Sequence, residues 1–150
     1  MSDTTAPAVS PVVAAADVAP NRRRGGEIRV VLSPKTAATT SGFLGTLTVR
    51  PGEYVAEHYH PYSEEFVFVT SGTLTARVDG FGTFPVHAGE GFVVPIGKRH
   101  RVWNDGDADV RAVFHLSPLA PRPELGHVDT EPLPAGGESL GQLDVGAPPR

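Results

Sequence analysis

Hydrophobic and polar residues alternate over short stretches between residues 27 and 116 of the chain. A period of two is typical of strands, because successive side chains point to opposite faces of a sheet. Gly-rich segments such as VDGFG and HAGEG separate these stretches and indicate turns. The strands predicted in this way span residues 27–32, 45–50, 54–59, 65–70, 73–78, 83–87, 91–95, 100–104 and 110–116. Regular short strands of this kind indicate an all-β sandwich or barrel.

The segments outside the predicted strands carry little periodic pattern. We expect a loop at residues 33–42 rather than a helix. Residues 1–25 are rich in Ala, Pro, Ser and Thr and are expected to form a disordered N-terminal tail, with the basic run NRRRGG as a solvated arm. The Pro-rich residues 118–150 cannot form regular helix or sheet, and composition leaves open whether they are a strap across the domain or a free tail. The folded domain is therefore expected at residues 26–117.

Length, charge and hydropathy restrict the classes of protein to which the chain can belong. Its 150 residues favour a single domain. A net charge of −4 leaves no basic footprint for nucleic acid, and no stretch approaches the ~20 apolar residues of a membrane helix. The N-terminus lacks the pattern of a signal peptide, so a cytoplasmic location is expected.

Two histidines interrupt the apolar pattern of the third predicted strand. Alternation places His58 and His60 together on the core-facing side, with their Cα atoms ~6.6 Å apart. Glu65 follows on the next strand, and His100 begins a later one. Three ring nitrogens and one carboxylate oxygen suit Zn, Fe, Ni or Mn, whereas the same groups buried without an ion would be costly. The chain has no cysteine, so a metal must be held by His, Asp or Glu.

Two segments of the chain resemble the two sequence motifs of the cupin superfamily. The first has the pattern GxxxxxHxHxxxxExxxxxxG, with its fixed positions at Gly52, His58, His60, Glu65 and Gly72. The second has the pattern GxxxxxPxGxxHxxxN, with its fixed positions at Gly89, Pro95, Gly97, His100 and Asn104. The resemblance implies an all-β jelly-roll barrel, the cupin double-stranded β-helix. It also implies that the metal ligands and catalytic residues are His58, His60, Glu65 and His100.

The alternation of residues does not decide which glutamate belongs to this set. Glu64 and Glu65 both begin the segment EEFVFV, which is apolar on both faces, so that its parity favours neither residue. The spacing of the family motif tolerates either position. The number of residues that separates Glu65 from Gly72 favours Glu65, and Glu64 stays open as the alternative.

Three further histidines lie outside the motifs. His115 misses the site if Arg111 on the same strand faces solvent, because the two residues share a face; the alternative is that His115 is an extra ligand or a proton relay. His87 is expected to face outward, since Val86 before it faces inward. His127 lies in the Pro-rich segment and is expected to be exposed.

The residues expected to face inward beside the metal are mostly apolar. We predict a substrate pocket that includes Tyr54, Phe92, Val102 and Phe114, whereas Trp103 is expected on the outside. No Arg or Lys is expected to face inward, which disfavours a phosphorylated substrate, because a phosphate group would require a cation. The pocket favours a flat, apolar or phenolic substrate with carbonyl oxygens.

The strand that carries Glu65 also predicts an apolar outer surface. Phe66 and Phe68 lie on the face opposite to Glu65, where one side of a solvated sheet would be polar. A second copy of the chain is the simplest cover for these rings, so a homodimer is expected. The alternative cover is the chain's own Pro-rich segment.

The segments VLSPKTAATTSG, HYHPYSEEFVFV and VFHLSPLAPRPELGHVDTEP resemble a narrower group of cupins. These are the small single-domain cupins encoded beside aromatic (type II) polyketide synthases, of the tetracenomycin, resistomycin and spore-pigment type. The resemblance implies a metal-dependent cyclase, with zinc as the expected ion, that closes rings in a poly-β-ketone and works beside polyketide synthase components. A cupin dioxygenase with Fe or Ni, acting on a phenolic or enol substrate, is the first alternative. A non-catalytic module that binds a small molecule is the second.

Overall fold

A computed structural model describes residues 10–137 and 140–148 of the chain. The strands are β1 (Glu27–Leu32), β2 (Phe43–Val49), β3 (Tyr54–Tyr59), β4 (Glu64–Ser71), β5 (Thr73–Val78), β6 (Gly82–His87), β7 (Gly91–Val94), β8 (His100–Trp103), β9 (Val110–Ser117) and β10 (Val128–Asp129). The helices are α1 (Pro34–Ala37) and two 3-10 turns, Ala15–Asp17 and Pro123–Leu125. The all-β prediction is confirmed.

The strands form two five-stranded antiparallel sheets. One sheet has the order β1-β2-β9-β4-β7, and the other has the order β10-β3-β8-β5-β6. Their inner faces enclose an apolar core that includes Val49, Val69, Leu74, Val110 and Leu116. Burial of such side chains is the main force that holds the two sheets together.

Two short elements differ from the strand pattern of the sequence. Helix α1 occupies part of the segment expected to be a loop, and it begins because the Ser33 side chain accepts hydrogen bonds from the N–H groups of Lys35 and Thr36. Strand β10 was not predicted. Its two residues pair with Tyr59 and His58 of β3, so that pairing with a distant strand, rather than a local pattern, defines it.

Strand β3 contains an irregularity that changes which of its side chains face inward. The register of β3 against β8 shifts between Val55 and His58. In place of a ladder bond, the N–H of Ala56 donates to the carbonyl of Arg24, 2.8 Å away. A bulge of this kind adds one residue to the strand, so that the side chains before it and after it follow opposite patterns of facing inward and outward. Residue Val55, rather than Tyr54, therefore shares the inner face with His58.

The segment before β1 packs against the domain, in contrast to the disordered tail expected there. Asn21 bridges to Ile28 through two backbone hydrogen bonds of 2.7 and 3.0 Å, and both Asn21 and Arg24 are buried. Gly25 approaches the carbonyl of Tyr54 so closely that a Cβ atom would overlap it, and its φ is +97°. These contacts hold residues 21–25 against the domain, whereas residues 10–20 are mostly exposed. Residues 1–9 of the expected tail lie outside the described residues.

Residues 140–148, which we call the strap, lie against the domain. Gln142 and Val145 are buried. The N–H of Gln142 donates to the carbonyl of Pro123 over 2.8 Å, and the N–H of Lys35 donates to the carbonyl of Val145 over 3.2 Å. Within the described ranges 10–137 and 140–148, no helix is long and apolar enough to cross a membrane.

Candidate metal centre

The structure brings the four predicted ligand residues to one point. His58, His60, Glu65 and His100 each offer one ligand atom, and these atoms all lie within 4.8 Å of one another. The three imidazoles are buried, and Glu65 is half-buried. The cluster can hold a metal ion.

Three separate strands carry His58, Glu65 and His100, and His60 directly follows the first of them, β3. His58 lies on β3 directly opposite His100 on β8, in the sheet that ends with β10. Glu65 comes from β4 in the other sheet, where it pairs with Val94 and Leu116. The site is thus formed between the two inner faces, and it depends on how the sheets pack rather than on a single loop.

Backbone carbonyls fix the orientation of each imidazole. The Nδ1 atoms of His58, His60 and His100 lie 2.7, 2.9 and 3.0 Å from the carbonyl oxygens of Ala56, Gly126 and Lys98. A carbonyl only accepts a hydrogen bond, so Nδ1 must carry the proton in each ring. In the neutral imidazole the lone pair is then on Nε2, which is the form that binds metals.

The charges of the cluster are coupled. Glu65 Oε1 lies 3.0 Å from His100 Nε2 and 3.5 Å from His60 Nε2. Burial favours the neutral acid, but the contacts with His100 and His60 outweigh it and hold the pKa of Glu65 well below its usual range. Burial lowers the pKa of His58 well below the usual value, and the neighbouring imidazoles act in the same direction. For His100, burial is outweighed by Glu65, so its pKa is raised.

The donor set fits a divalent cation. Among the described residues, the Nε2 atom of His100 is buried without a hydrogen-bond partner, although Glu65 is near. A cation between three Nε2 lone pairs and a carboxylate would satisfy this atom and the charge of Glu65 together. The ion that cupin motifs imply is therefore compatible with the residues present.

A cavity of about 70 Å³ adjoins the four residues. Its walls are largely apolar, and Phe92, Val102 and Phe114 line it as predicted. Tyr54 is a correction: it lies outside the cavity, where the guanidinium of Arg101 stacks 4.2 Å from the centre of its ring. The reason is the bulge in β3, which places Val55 on the inner face in its stead.

His127 lies in this site, and the expectation that it is exposed was wrong. Its residue exposure is 4%, and its ring stacks on that of His58 with centroids 4.2 Å apart. The 3-10 turn at Pro123–Leu125 and the pairing of β10 with β3 fold the Pro-rich segment back over the barrel. No local pattern around His127 indicates this fold, because the partner strand lies far away in the sequence.

Arg24 also lines the cavity, against the expectation that no cation faces inward. It lies in the NRRRGG run that was expected to be solvated, and the hydrogen bond from Ala56 N–H to the Arg24 carbonyl fixes its position beside β3. Its guanidinium donates to the carbonyl of Gly141 in the strap. Burial lowers the pKa of Arg24, whereas the charge of Asp144 raises it.

The remaining candidates lie away from the cluster. Glu64 is exposed, so Glu65 alone of the pair joins the site. His115 stacks on Phe66 with ring centroids 6.3 Å apart on the outer face, and His87 is exposed. Trp103 contacts Arg101 outside the cavity. None of these four side chains lines the cavity among the described residues.

Comparison with known proteins identifies the family. The sequence model of the cupin domain family matches residues 45–116, a range that includes all four candidate ligands. Over 120 residues, the chain is 58% identical to protein SchB of Streptomyces halstedii, covering 80% of this chain and 86% of that protein. The chain belongs to the cupin family. The resemblance seen in its two motifs is thereby confirmed.

Two other curated relatives carry names from polyketide biosynthesis. The chain is 57% identical over 120 residues to polyketide synthase CurC of Streptomyces cyaneus, covering 80% of this cupin and 77% of CurC. It is 48% identical over 122 residues to tetracenomycin polyketide synthase protein TcmJ of Streptomyces glaucescens, covering 81% of each.

Solved structures agree on the fold of the cupin. A predicted oxalate decarboxylase from Thermotoga maritima superposes with a TM-score of 0.62 at 22% identity, covering 72% of this chain and 99% of that one. A conserved protein with a double-stranded β-helix domain from Klebsiella pneumoniae gives a TM-score of 0.63 at 21% identity, covering 81% and 98%. At this identity the likeness concerns the fold alone.

Proposed function

We propose that this cupin is a metal-dependent cyclase of aromatic polyketide biosynthesis, which directs aldol-type ring closure in a poly-β-ketone. The observation that carries the proposal is the four-residue cluster beside a largely apolar cavity. It occurs in a chain that is 57% identical to a protein named as a polyketide synthase. The proposal includes zinc as the ion, and a cytoplasmic location beside the components of the synthase.

Ring closure by an aldol reaction requires an enolate and a polarised carbonyl in one chain. A divalent ion held by His58, His60, Glu65 and His100 supplies a Lewis acid that stabilises negative charge on substrate oxygens. The carbonyl groups of Ala56 and other backbone units keep the imidazoles oriented for this task. No oxidant or reductant is required, because an aldol closure followed by loss of water leaves the overall oxidation state of the substrate unchanged.

The apolar walls carry the second part of the proposed activity. Methylene groups between two carbonyls are already acidic, so the larger task is to select which carbon meets which carbonyl. Phe92, Val102 and Phe114 offer flat and branched surfaces against which a flexible chain can bend. Holding reacting atoms together in this way replaces much of the entropy cost of closure.

The alternative with support from the donor set is a cupin dioxygenase. Three imidazoles and a carboxylate also suit Fe or Ni, and such sites activate oxygen toward enol or phenolic substrates. The two reactions differ in their need for oxygen. The test is therefore product profiling with a minimal polyketide synthase, with and without the cupin, in air and under anaerobic conditions.

The cyclase proposal expects the same new product distribution in both atmospheres. A new product that forms only in air, with an unchanged distribution under anaerobic conditions, would contradict it and favour the dioxygenase. Glu65→Gln sharpens the comparison. A cyclase with this change should retain appreciable ring closure, because the three imidazoles can still hold the ion and the pocket still folds the substrate. A dioxygenase should lose most turnover, because redox poise depends on its ligands.

A further inference from the structure

The cavity has a second group of polar side chains besides the four candidate ligands. Arg24, His127, Gln142 and Asp144 line its side nearest the strap, and none of them belongs to the two cupin motifs. All come from segments outside the nine strands that the sequence predicts. They differ from ordinary structural polar residues because several of their donor and acceptor atoms have no hydrogen-bond partner among the described residues.

Arg24 has unused donors. It is buried, with 9% of its surface exposed, and its guanidinium donates to the carbonyl of Gly141. Within the part of the chain that the structure describes, it forms no ion pair. A guanidinium carries five N–H donors, so that a buried one with a single side-chain hydrogen bond keeps capacity for a ligand oxygen.

His127 and Asp144 have unused acceptors. His127 Nε2 lies 2.7 Å from Asp129 Oδ1, and because a carboxylate accepts, Nε2 must donate and Nδ1 keeps the lone pair. This Nδ1 is buried with no hydrogen-bond partner among the described residues, and the same holds for Asp144 Oδ1. The other oxygen of Asp144 accepts only a long bond of 3.4 Å from Asn21.

The donor and the two acceptors restrict the chemistry of what they bind. A carboxylate or phosphate would meet Arg24 but would also face Asp144, whose charge repels it. A neutral group that presents a carbonyl oxygen and a hydroxyl fits these residues, since Arg24 donates to the carbonyl, the single hydroxyl proton is donated to His127 Nδ1, and Asp144 disfavours an anion in the same place. An enolised β-dicarbonyl is such a group.

We propose that Arg24, His127 and Asp144 form a second polar subsite that binds an enolised β-dicarbonyl unit of the substrate. The inference rests on the proposed function and deepens it, because the chain would be held at two points, by the metal cluster and by this subsite. Two anchors on one flexible chain fix the bend between them. The subsite thus determines which carbonyl is presented for ring closure.

The test measures binding of two aromatic ketone probes to the purified, metal-loaded protein by calorimetry. Benzoylacetone is an enolised β-diketone, and 4-phenyl-2-butanone is a monoketone of similar size that lacks the hydroxyl. The variants are Arg24→Met and His127→Phe, which keep side-chain bulk, and the control is Arg22→Gln, an exposed neighbour paired with Glu27. Thermal unfolding checks the fold of each variant, and His127→Phe carries the test if Arg24→Met does not fold.

The expected result is at least about a tenfold loss of affinity for the diketone in both variants, since one hydrogen bond to a charged or buried group has this effect. The affinity for the monoketone should be unchanged in His127→Phe, because this probe has no hydroxyl to donate. The same loss should persist after the metal is removed by a chelator, which separates the subsite from the metal assignment and from cyclase activity. Equal weakening of both probes in His127→Phe would mean that His127 only shapes the cavity, and it would overturn the proposal. Unchanged affinity for both probes would overturn it as well.

Discussion

His58 and His100 face each other across β3 and β8, and backbone carbonyls rather than side chains orient their rings. Replacing one imidazole therefore removes a ligand without removing any backbone hydrogen bond between the strands. The expected cost lies in metal binding, not in the strands that carry the residue.

We predict that His58→Ala and His100→Ala each abolish metal binding while the β-sheet spectrum is retained. Loss of a ligand should exceed the ~10–100-fold effect that is typical of residues which only support ligands. Elemental analysis of protein purified without added metal, with circular dichroism alongside, measures both quantities. His87→Ala is the matched control, because His87 is exposed and outside the cluster. Full metal occupancy in either ligand variant would refute the four-residue assignment.

The strands were the most predictable part of the molecule, since their period of two is local in the sequence. Cupin motif spacing likewise indicated the four residues that the structure brings together. Tyr54 was placed wrongly because a bulge in β3 interrupts the alternation, and nothing in the sequence marks the bulge. Arg24 and His127 were missed because they reach the cavity through contacts between segments that are distant along the chain.

Three residues of the strap, Gln142, Asp144 and Val145, line the cavity, and at about 70 Å³ this cavity is smaller than the roughly 300–1,000 Å³ of typical ligand sites. We therefore expect a polyketide to enter through movement of the strap. Gly141 allows the strap to lie close to the domain. The φ angle of Gly141 is +60°, and a Cβ atom at this position would lie 2.7 Å from backbone atoms of Glu124. Substitution at this position should displace the strap.

We predict that Gly141→Ala accelerates removal of the bound metal by a chelator at least several-fold, because the site becomes open to solvent. The measurement is the rate of metal transfer to a coloured chelator. Gly136→Ala is the matched control, since Gly136 has a similar φ of +74° but a Cβ atom there would meet nothing within 4 Å among the described residues. Equal rates in the two variants would show that the strap does not control access to the site.

The outer face of the sheet that contains β4 bears an apolar patch formed by Phe66, Phe68 and Val93. Their exposed fractions are 46%, 49% and 41%. The strap lies at the cavity instead, and no described residue of the Pro-rich segment lines the groove at this patch. A second copy of the chain is therefore the cover that we expect.

We predict a homodimer that buries this patch. Sedimentation should give about twice the chain mass of 15.8 kDa, and Phe66→Ser combined with Phe68→Ser should reduce the mass to that of one chain. The control is Phe81→Ser, which removes an exposed ring from the β5–β6 turn, outside the patch. A wild-type protein that sediments as a monomer at micromolar concentration would rule out the dimer.

The central claim is that an ion held by His58, His60, Glu65 and His100 is required for ring closure and that oxygen is not. The most direct test strips the metal, then restores about one ion per chain, and profiles the products of a minimal polyketide synthase under anaerobic conditions at each stage. We predict that the cyclised product falls to the level without cupin after stripping and returns when the ion is restored, whereas His100→Ala does not recover. Metal-free protein that redirects the products as fully as the loaded protein would contradict the account.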